Sequence, residues 1–107
     1  MTCLKLKSDL KVTGLRPEIL LALVVANGVY ASHGYDAVVT SLLDGLHSQT
    51  SLHYAGCAAD LRTTAAQIPG STIDVIASDI RKALTADYDV VVEADHIHLE
   101  FQPRRQG

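Results

Sequence analysis

Histidines and acids cluster in two stretches of this 107-residue chain. The first stretch, Ser51 to Asp60, reads SLHYAGCAAD and holds a histidine seven positions before an aspartate. The second, Glu93 to Phe101, reads EADHIHLEF and holds two histidines and three acids. Of the five histidines, only His33 lies far from both stretches. Imidazole nitrogens and carboxylate oxygens are common zinc ligands in proteins, so this clustering predicts a metal site.

The second stretch alternates as a strand does, so His96, His98 and Glu100 should project from one face. A complete site needs further ligands from elsewhere in the chain, and His53 and Asp60 are the candidates. Two histidines, a carboxylate and an open position form a catalytic zinc arrangement. The metal lowers the pKa of a bound water towards 7 and so supplies hydroxide at neutral pH.

Small residues around His53 support this interpretation. Gly56 lets the backbone turn after His53, so that the following strand carries Asp60 back towards the metal. Ser51 is placed to cap the loop or to bond the backbone around His53, which would fix the imidazole tautomer.

Proton transfer to the leaving amine requires a general base near the metal. Glu93 precedes His96 by three residues, and Asp95 precedes His98 by three, so spacing alone leaves both acids open for this role. His47 lies six residues before His53, where it could stabilise an oxyanion or orient a substrate carboxyl group. For His33 and Glu100 the simpler interpretation is an exposed polar face without chemistry.

The two stretches resemble the signatures of the D-Ala-D-Ala carboxypeptidase-like zinc peptidases. Residues Ser51 to Asp60 fit the pattern S-x-H-x-x-G-x-A-x-D, and Asp95 to His98 fit an H-x-H preceded by an acid. This superfamily includes bacterial cell-wall carboxypeptidases and dipeptidases, phage endolysin-type endopeptidases and the signalling domain of hedgehog proteins. The resemblance covers about residues 13–101, which is nearly the whole chain.

By this resemblance the protein would be a zinc metallopeptidase that hydrolyses a bond in peptidoglycan stem peptides. One Zn²⁺ per chain would be bound by His53, Asp60 and His98, while His96 would face the site without binding the metal. Asp95 would be the general base, with Glu93 as the alternative, and His47 would be a further active-site residue. A bacteriophage or prophage origin is expected, with action on the cell wall after release or as part of a virion.

A non-catalytic, zinc-stabilised binding module, as in hedgehog signalling domains, is the competing hypothesis. In such a module the metal contributes folding energy and the protein surface provides the function. Release of amines from peptidoglycan would separate the two hypotheses.

Composition limits the remaining possibilities. The length predicts one domain over residues 1–107. A net charge of −3 without long charged runs argues against nucleic acid as the partner. The longest apolar segment, Ile19 to Ala26, is too short to insert across a bilayer. Residues 1–12 alternate between apolar and charged types, which is not typical of a signal peptide, so we expect synthesis in the cytoplasm. We also expect a monomer.

The order of the predicted strands and helices indicates an α+β domain. Its sheet should be mostly antiparallel and flanked by helices, with the zinc site on the sheet. In the first half, Leu4 to Val12 should form an edge strand. Pro17 and Glu18 should begin a helix that runs to about Gly28 or slightly beyond and is heavily buried. Ala37 to Ser41 and Gly56 to Arg62 are predicted strands.

In the second half, Ser71 to Asp74 reads as a capping sequence for a second helix. Ile73, Ile76, Ile80 and Leu84 follow at helical spacing. Tyr88 to Val92 and His96 to Phe101 should form a hairpin that turns at Ala94 and Asp95. Residues 102–107 are expected to be a flexible tail.

Overall fold

A computed structural model describes residues 4–7, 17–43, 57–64 and 67–102 of the chain. These residues form, in chain order, β1 (Lys5–Leu6), α1 (Pro17–Ser32), β2 (Val38–Leu43), β3 (Cys57–Arg62), α2 (Gly70–Ala83), β4 (Tyr88–Val92) and β5 (His96–Phe101). The predicted α+β class is confirmed, and the hairpin strands β4 and β5 have the predicted bounds. The radius of gyration, 13.7 Å, is close to that of a compact domain of this length.

The five strands form one mixed sheet in the order β1-β2-β3-β5-β4. Strand β1 runs parallel to β2. The other three pairs, β2 with β3, β3 with β5 and β4 with β5, are antiparallel, so the sheet is mostly antiparallel as predicted. Strand β1 lies at one edge, where a strand was predicted. The central strands β3 and β5 carry Asp60, His96 and His98.

Both helices pack on the same face of the sheet, and the hydrophobic core lies between these two layers. The strands contribute fully or almost fully buried residues to this core: Val39, Ala59, Leu61, Val90, Ile97 and Leu99. Because successive strand residues point to opposite faces, the neighbours of these core residues project away from the helices. Asp60, His96 and His98 are such neighbours. Among the described residues, no helix covers this second face.

Helix α1 differs from the sequence prediction in its burial. It ends at Ser32, where an end at about Gly28 or slightly beyond was predicted. Leu20, Leu21 and Val24 are about half exposed or more, so the expectation that the helix is heavily buried was wrong. The helix lies in an outer layer, where only one side contacts the core, and its run of apolar residues gave no sign of which side that is. No helix in the described part of the chain is long and apolar enough to cross a membrane.

Helix α2 begins differently from the prediction. Pro69, and not a residue of the Ser71–Asp74 segment, occupies the N-cap position, and no side chain caps the helix. The carbonyl of Pro69 accepts the first helical hydrogen bond, from the amide of Ile73 at 2.9 Å. Proline suits this position because its fixed φ holds the chain at the helix entrance. The predicted apolar spacing was correct for Ile73, Ile76 and Ile80, which are buried. Leu84 lies just past the helix end and is half-buried against the core.

Tyr30 connects α1 to the sheet at the end of β3. Its side chain is fully buried, and its hydroxyl donates a hydrogen bond to the backbone carbonyl of Arg62 at 3.1 Å. Burial raises the pKa of Tyr30 well above its usual value, because the phenolate would lose its hydration. The helix therefore holds the strand at Arg62 through a neutral hydroxyl.

We expect Tyr30→Phe to lower the free energy of unfolding by about 1 kcal/mol at neutral pH, because the Arg62 carbonyl loses its donor. Above pH about 10 the unfolded wild type releases the Tyr30 proton while the folded form keeps it, so the wild type loses stability with rising pH. The phenylalanine variant has no such proton to lose. The stability difference between the two proteins should therefore shrink as the pH rises.

Urea unfolding at pH about 7 and pH about 11 would measure this difference. Tyr35→Phe serves as the control, since it removes a hydroxyl from a half-buried tyrosine of the same chain. An equal difference at the two pH values would contradict the assigned burial of the hydroxyl.

Candidate metal centre

The pairing of β3 with β5 brings residues of the two sequence motifs together. In this register Asp60 lies opposite His98, and Arg62 lies opposite His96. Directly opposite residues of an antiparallel pair share a face of the sheet, and their side chains are in contact distance. Residues 38 positions apart in sequence, Asp60 and His98, thereby become neighbours.

Asp60, His96 and His98 are close enough to hold one metal ion. A carboxylate oxygen of Asp60 and one nitrogen of each histidine all lie within 4.8 Å of one another. Asp60 Oδ1 is 2.8 Å from His98 Nδ1 and 3.5 Å from His96 Nε2. Ligands of a tetrahedral zinc at its usual bond lengths lie roughly 3.3 Å apart, so small adjustments suffice for a shared ion. Two imidazoles and a carboxylate form a donor set that divalent transition metals bind.

Each histidine of the cluster has a further carboxylate at its other ring nitrogen. His98 Nε2 lies 3.0 Å from Glu100 Oε1, and His96 Nδ1 lies 2.6 Å from Asp95 Oδ1. A neutral imidazole has only one N–H, so a ring between two carboxylates needs either a second proton or a metal ion. A metal on the Asp60 side would leave each N–H to bond its outer carboxylate. Metal-binding histidines in proteins usually have such an outer partner.

At His98 the electrostatics favour positive charge. Partial burial acts to lower its pKa, but the hydrogen bonds and charges of Glu100 and Asp60 outweigh that effect. The pKa of His98 is therefore raised above its usual value. Without a metal, the second proton satisfies the two carboxylates. The same negative charges would attract a divalent cation to the position between Asp60 and His98.

A pocket of about 370 Å³ opens beside the cluster. It is lined by Thr40, Asp60, Arg62, Thr64, Asp95 and His96. The strand pairing is irregular at Thr40, between Val39 and Ser41 of β2. The Thr40 hydroxyl donates to the backbone carbonyl of Asp60 at 3.4 Å. A ligand in this pocket would contact both Asp60 and His96.

The predicted site residues fall into three groups. Asp60, His96 and His98 lie together on the open face. Four further residues from the segment before β3 lie outside the described residues: His47, Ser51, His53 and Gly56. The third group is the pair of candidate bases at the hairpin.

The two candidate bases differ in position. Asp95 lines the pocket, and its carboxylate contacts His96. Glu93 is exposed and is not among the lining residues, and its backbone amide donates to the carbonyl of His96 at 2.8 Å. The geometry therefore favours Asp95 as the acid that can reach a ligand in the pocket.

Glu100 has more than the solvent-facing role that the sequence suggested. It is half-buried, one oxygen contacts His98, and the other accepts a hydrogen bond from the side-chain amide of Gln102. Strand alternation placed Glu100 on the same face as His98, but only the structure reveals the contact. His33, by contrast, lies away from the cluster, with Nε2 at 3.3 Å from Asp79 Oδ2 of α2.

Comparison of the chain with protein-family models, curated proteins and solved structures gave no match. The motif resemblance to zinc peptidases therefore remains an expectation. Support for a function comes from the arrangement of the side chains around Asp60.

Replacement of a ligand should weaken metal binding strongly. We expect Asp60→Ala and His98→Ala each to lower the affinity for Zn²⁺ by about a hundredfold or more, since even outer partners contribute about ten- to hundredfold. Calorimetric titration with Zn²⁺ and the visible absorption of bound Co²⁺ would measure this. His33→Ala is the matched control and should bind metal as the wild type does.

The same titration assigns the role of His96. Loss of affinity in His96→Ala as large as in His98→Ala would make His96 a ligand. Wild-type affinity in that variant would leave it the non-ligating role that the resemblance implies. Undiminished binding in both Asp60→Ala and His98→Ala would show that the cluster is not a metal site.

Glu100→Gln should lower metal affinity by about tenfold, because the outer partner of His98 loses its charge while its shape is kept. Asp89→Asn is the control, since Asp89 pairs with Glu100 in the hairpin register and is exposed. Equal Zn²⁺ affinities for the two variants would argue against a role of Glu100 at the site.

Proposed function

We propose that this chain is a zinc-dependent peptidase that hydrolyses a peptide bond in peptidoglycan stem peptides. The observation that carries the proposal is the convergence of Asp60, His96 and His98 beside an open pocket. Structural zinc sites are closed by four protein ligands, whereas catalytic sites keep one position open to substrate. The motif resemblance supplies the substrate class and points to action on the cell wall, from a virion or after release from the cytoplasm.

Asp60 and His98 would hold the zinc together with His53, the loop histidine of the first motif. His96 is near enough to Asp60 to join this set. When bound, zinc polarises the scissile carbonyl and makes water a stronger nucleophile at neutral pH. Glu100 would keep the ring of His98 oriented by accepting its Nε2 proton.

Asp95 would move the proton during hydrolysis. Its carboxylate takes a proton from the attacking water, whose oxygen forms the new bond to the scissile carbon. The same proton then passes to the amine nitrogen as the C–N bond breaks. Two observations support this assignment: Asp95 lines the pocket, and its side chain is 75% exposed and so accessible to a substrate. Glu93 remains the alternative base, and His47 a further candidate for the substrate side of the site.

One feature of the site favours the competing function, a non-catalytic zinc-stabilised binding module. Asp60 and His98 belong to neighbouring strands, so an ion between them would cross-link β3 and β5. Metal binding would then contribute directly to folding. The two functions share the metal and differ only in hydrolysis.

Hydrolysis is tested with purified peptidoglycan and zinc-loaded protein. We expect release of amines that a chelator stops and added zinc restores, and mass spectrometry of the products would identify the bond. Asp60→Asn should lose both zinc and activity. Asp95→Asn, assayed with zinc in excess because Asp95 is the outer partner of His96, should stay loaded yet lose about a hundredfold or more in kcat, the usual size of a general-base contribution. His33→Asn is the control for an unrelated histidine.

Two results would change the assignment. Tight zinc binding with a raised melting temperature but no amine release would favour the binding module. Full activity in Asp95→Asn would show that Asp95 is not the general base, and Glu93→Gln would then be assayed in the same way.

A further inference from the structure

Among the described residues that line the pocket, Arg62 is the one arginine or lysine. It follows Asp60 by two positions on β3, so the two side chains project from the same face. Across the sheet its register partner is His96. A permanent positive charge therefore lies within one strand step of the metal cluster.

Within the described part of the chain, no hydrogen bond or ion pair engages the guanidinium of Arg62. Only its backbone carbonyl has a partner, the hydroxyl of Tyr30. Asp60 and Asp95 line the same pocket, but their carboxylates contact the histidines. The side chain is half-buried, so a bound anion would provide the pairing that the described residues do not.

The chemistry of the side chain specifies the anion. A guanidinium presents a planar fork of N–H donors that matches a carboxylate with two parallel hydrogen bonds. Thr64 lines the pocket as well, and its hydroxyl can donate to the same group. The distance from the Arg62 guanidinium to the metal cluster then determines which carboxylate of a bound peptide the guanidinium can reach.

We propose that Arg62 binds the free α-carboxylate of the substrate residue that follows the scissile bond; this inference rests on the proposed peptidase function. In that residue the carboxylate carbon is three bonds from the scissile carbonyl carbon, less than about 4 Å away. The α-carbons of Asp60 and Arg62 lie roughly 6–7 Å apart along the strand. One substrate residue can therefore reach from the metal cluster to the guanidinium.

Two bonds of a stem peptide meet this requirement. In a terminal D-Ala–D-Ala bond the following residue is C-terminal, so its α-carboxylate is free. In an L-Ala–D-Glu bond the following glutamate continues the chain through its side chain, so its α-carboxylate is also free. Arg62 would favour both over bonds whose following residue has its α-carboxyl group in an amide.

Matched ligands test this specificity without any need for turnover. The probes are stem peptides whose scissile amide is replaced by a ketomethylene group, which cannot be hydrolysed. One pair carries the D-Ala–D-Ala position, as the terminal acid and the terminal amide. The other carries the L-Ala–D-Glu position, with D-glutamate or D-isoglutamine. Calorimetry with the zinc-loaded protein gives the acid-to-amide ratio of affinities, and the pair with the larger ratio identifies the source of the carboxylate.

We expect the acid of at least one pair to bind about tenfold or more tightly than its amide, as for a bidentate arginine–carboxylate contact. Arg62→Gln should remove this preference while zinc content and melting temperature stay unchanged. Arg62→Lys should keep only part of it, because lysine retains the charge without the fork. Lys82→Gln, which removes one charge from the exposed end of α2, should keep it in full.

Equal affinity of acid and amide in both pairs would overturn the inference, as would a preference that persists in Arg62→Gln. Hydrolysis of peptidoglycan is measured separately, so the two hypotheses can fail independently. If the protein hydrolyses peptidoglycan but Arg62→Gln leaves the preference for acid over amide unchanged, the protein is a peptidase in which Arg62 does not bind the carboxylate. If Arg62→Gln removes the preference for acid over amide but the protein does not hydrolyse peptidoglycan, the protein is a carboxylate-binding module.

Discussion

The antiparallel register between β3 and β5 is the constraint on which the site depends. It sets Asp60 opposite His98 and Arg62 opposite His96. A shift of one residue would turn every side chain of a strand to the other face, and the core residues beside them would then face solvent. Burial of Leu61, Ile97 and Leu99 therefore fixes the register, and the hydrophobic core positions the polar cluster on the opposite side of the same strands.

Around Asp60, negative charge exceeds what the histidines can satisfy in their neutral forms. His98 lies between Asp60 and Glu100, and His96 between Asp60 and Asp95. A ring that is hydrogen-bonded to an acceptor at each nitrogen, as His98 is, requires added positive charge, as a proton or as a metal ion. This requirement links the raised pKa of His98 with the metal-binding proposal, since both have the same cause. It also gives Glu100 a defined task in orienting the ligand ring.

Much of the fold was predictable because strand and helix periodicities are local properties of the sequence. The alternation in EADHIHLEF and the spacing of Ile73, Ile76 and Ile80 gave the correct elements. Other features depend on tertiary context. Which side of α1 is buried depends on the layer against which it packs, and the start of α2 depends on Pro69 in place of a capping side chain. The pairing of β3 with β5 across α2, and with it the place of Arg62 at the pocket, could not be read from spacing.

The helices lie on one side of the sheet and the polar cluster on the other, so two sets of residues in β3 and β5 have separate tasks. Ala59, Leu61, Ile97 and Leu99 pack against the helices, and Asp60, Arg62, His96, His98 and Glu100 face away from them. The first set holds the fold together, and the second provides the polar groups that a ligand in the pocket would meet. Mutational variation at the outward-facing positions can therefore change ligand binding with little loss of folding. A library randomised at those positions alone would be a practical starting point for directed evolution of this small scaffold.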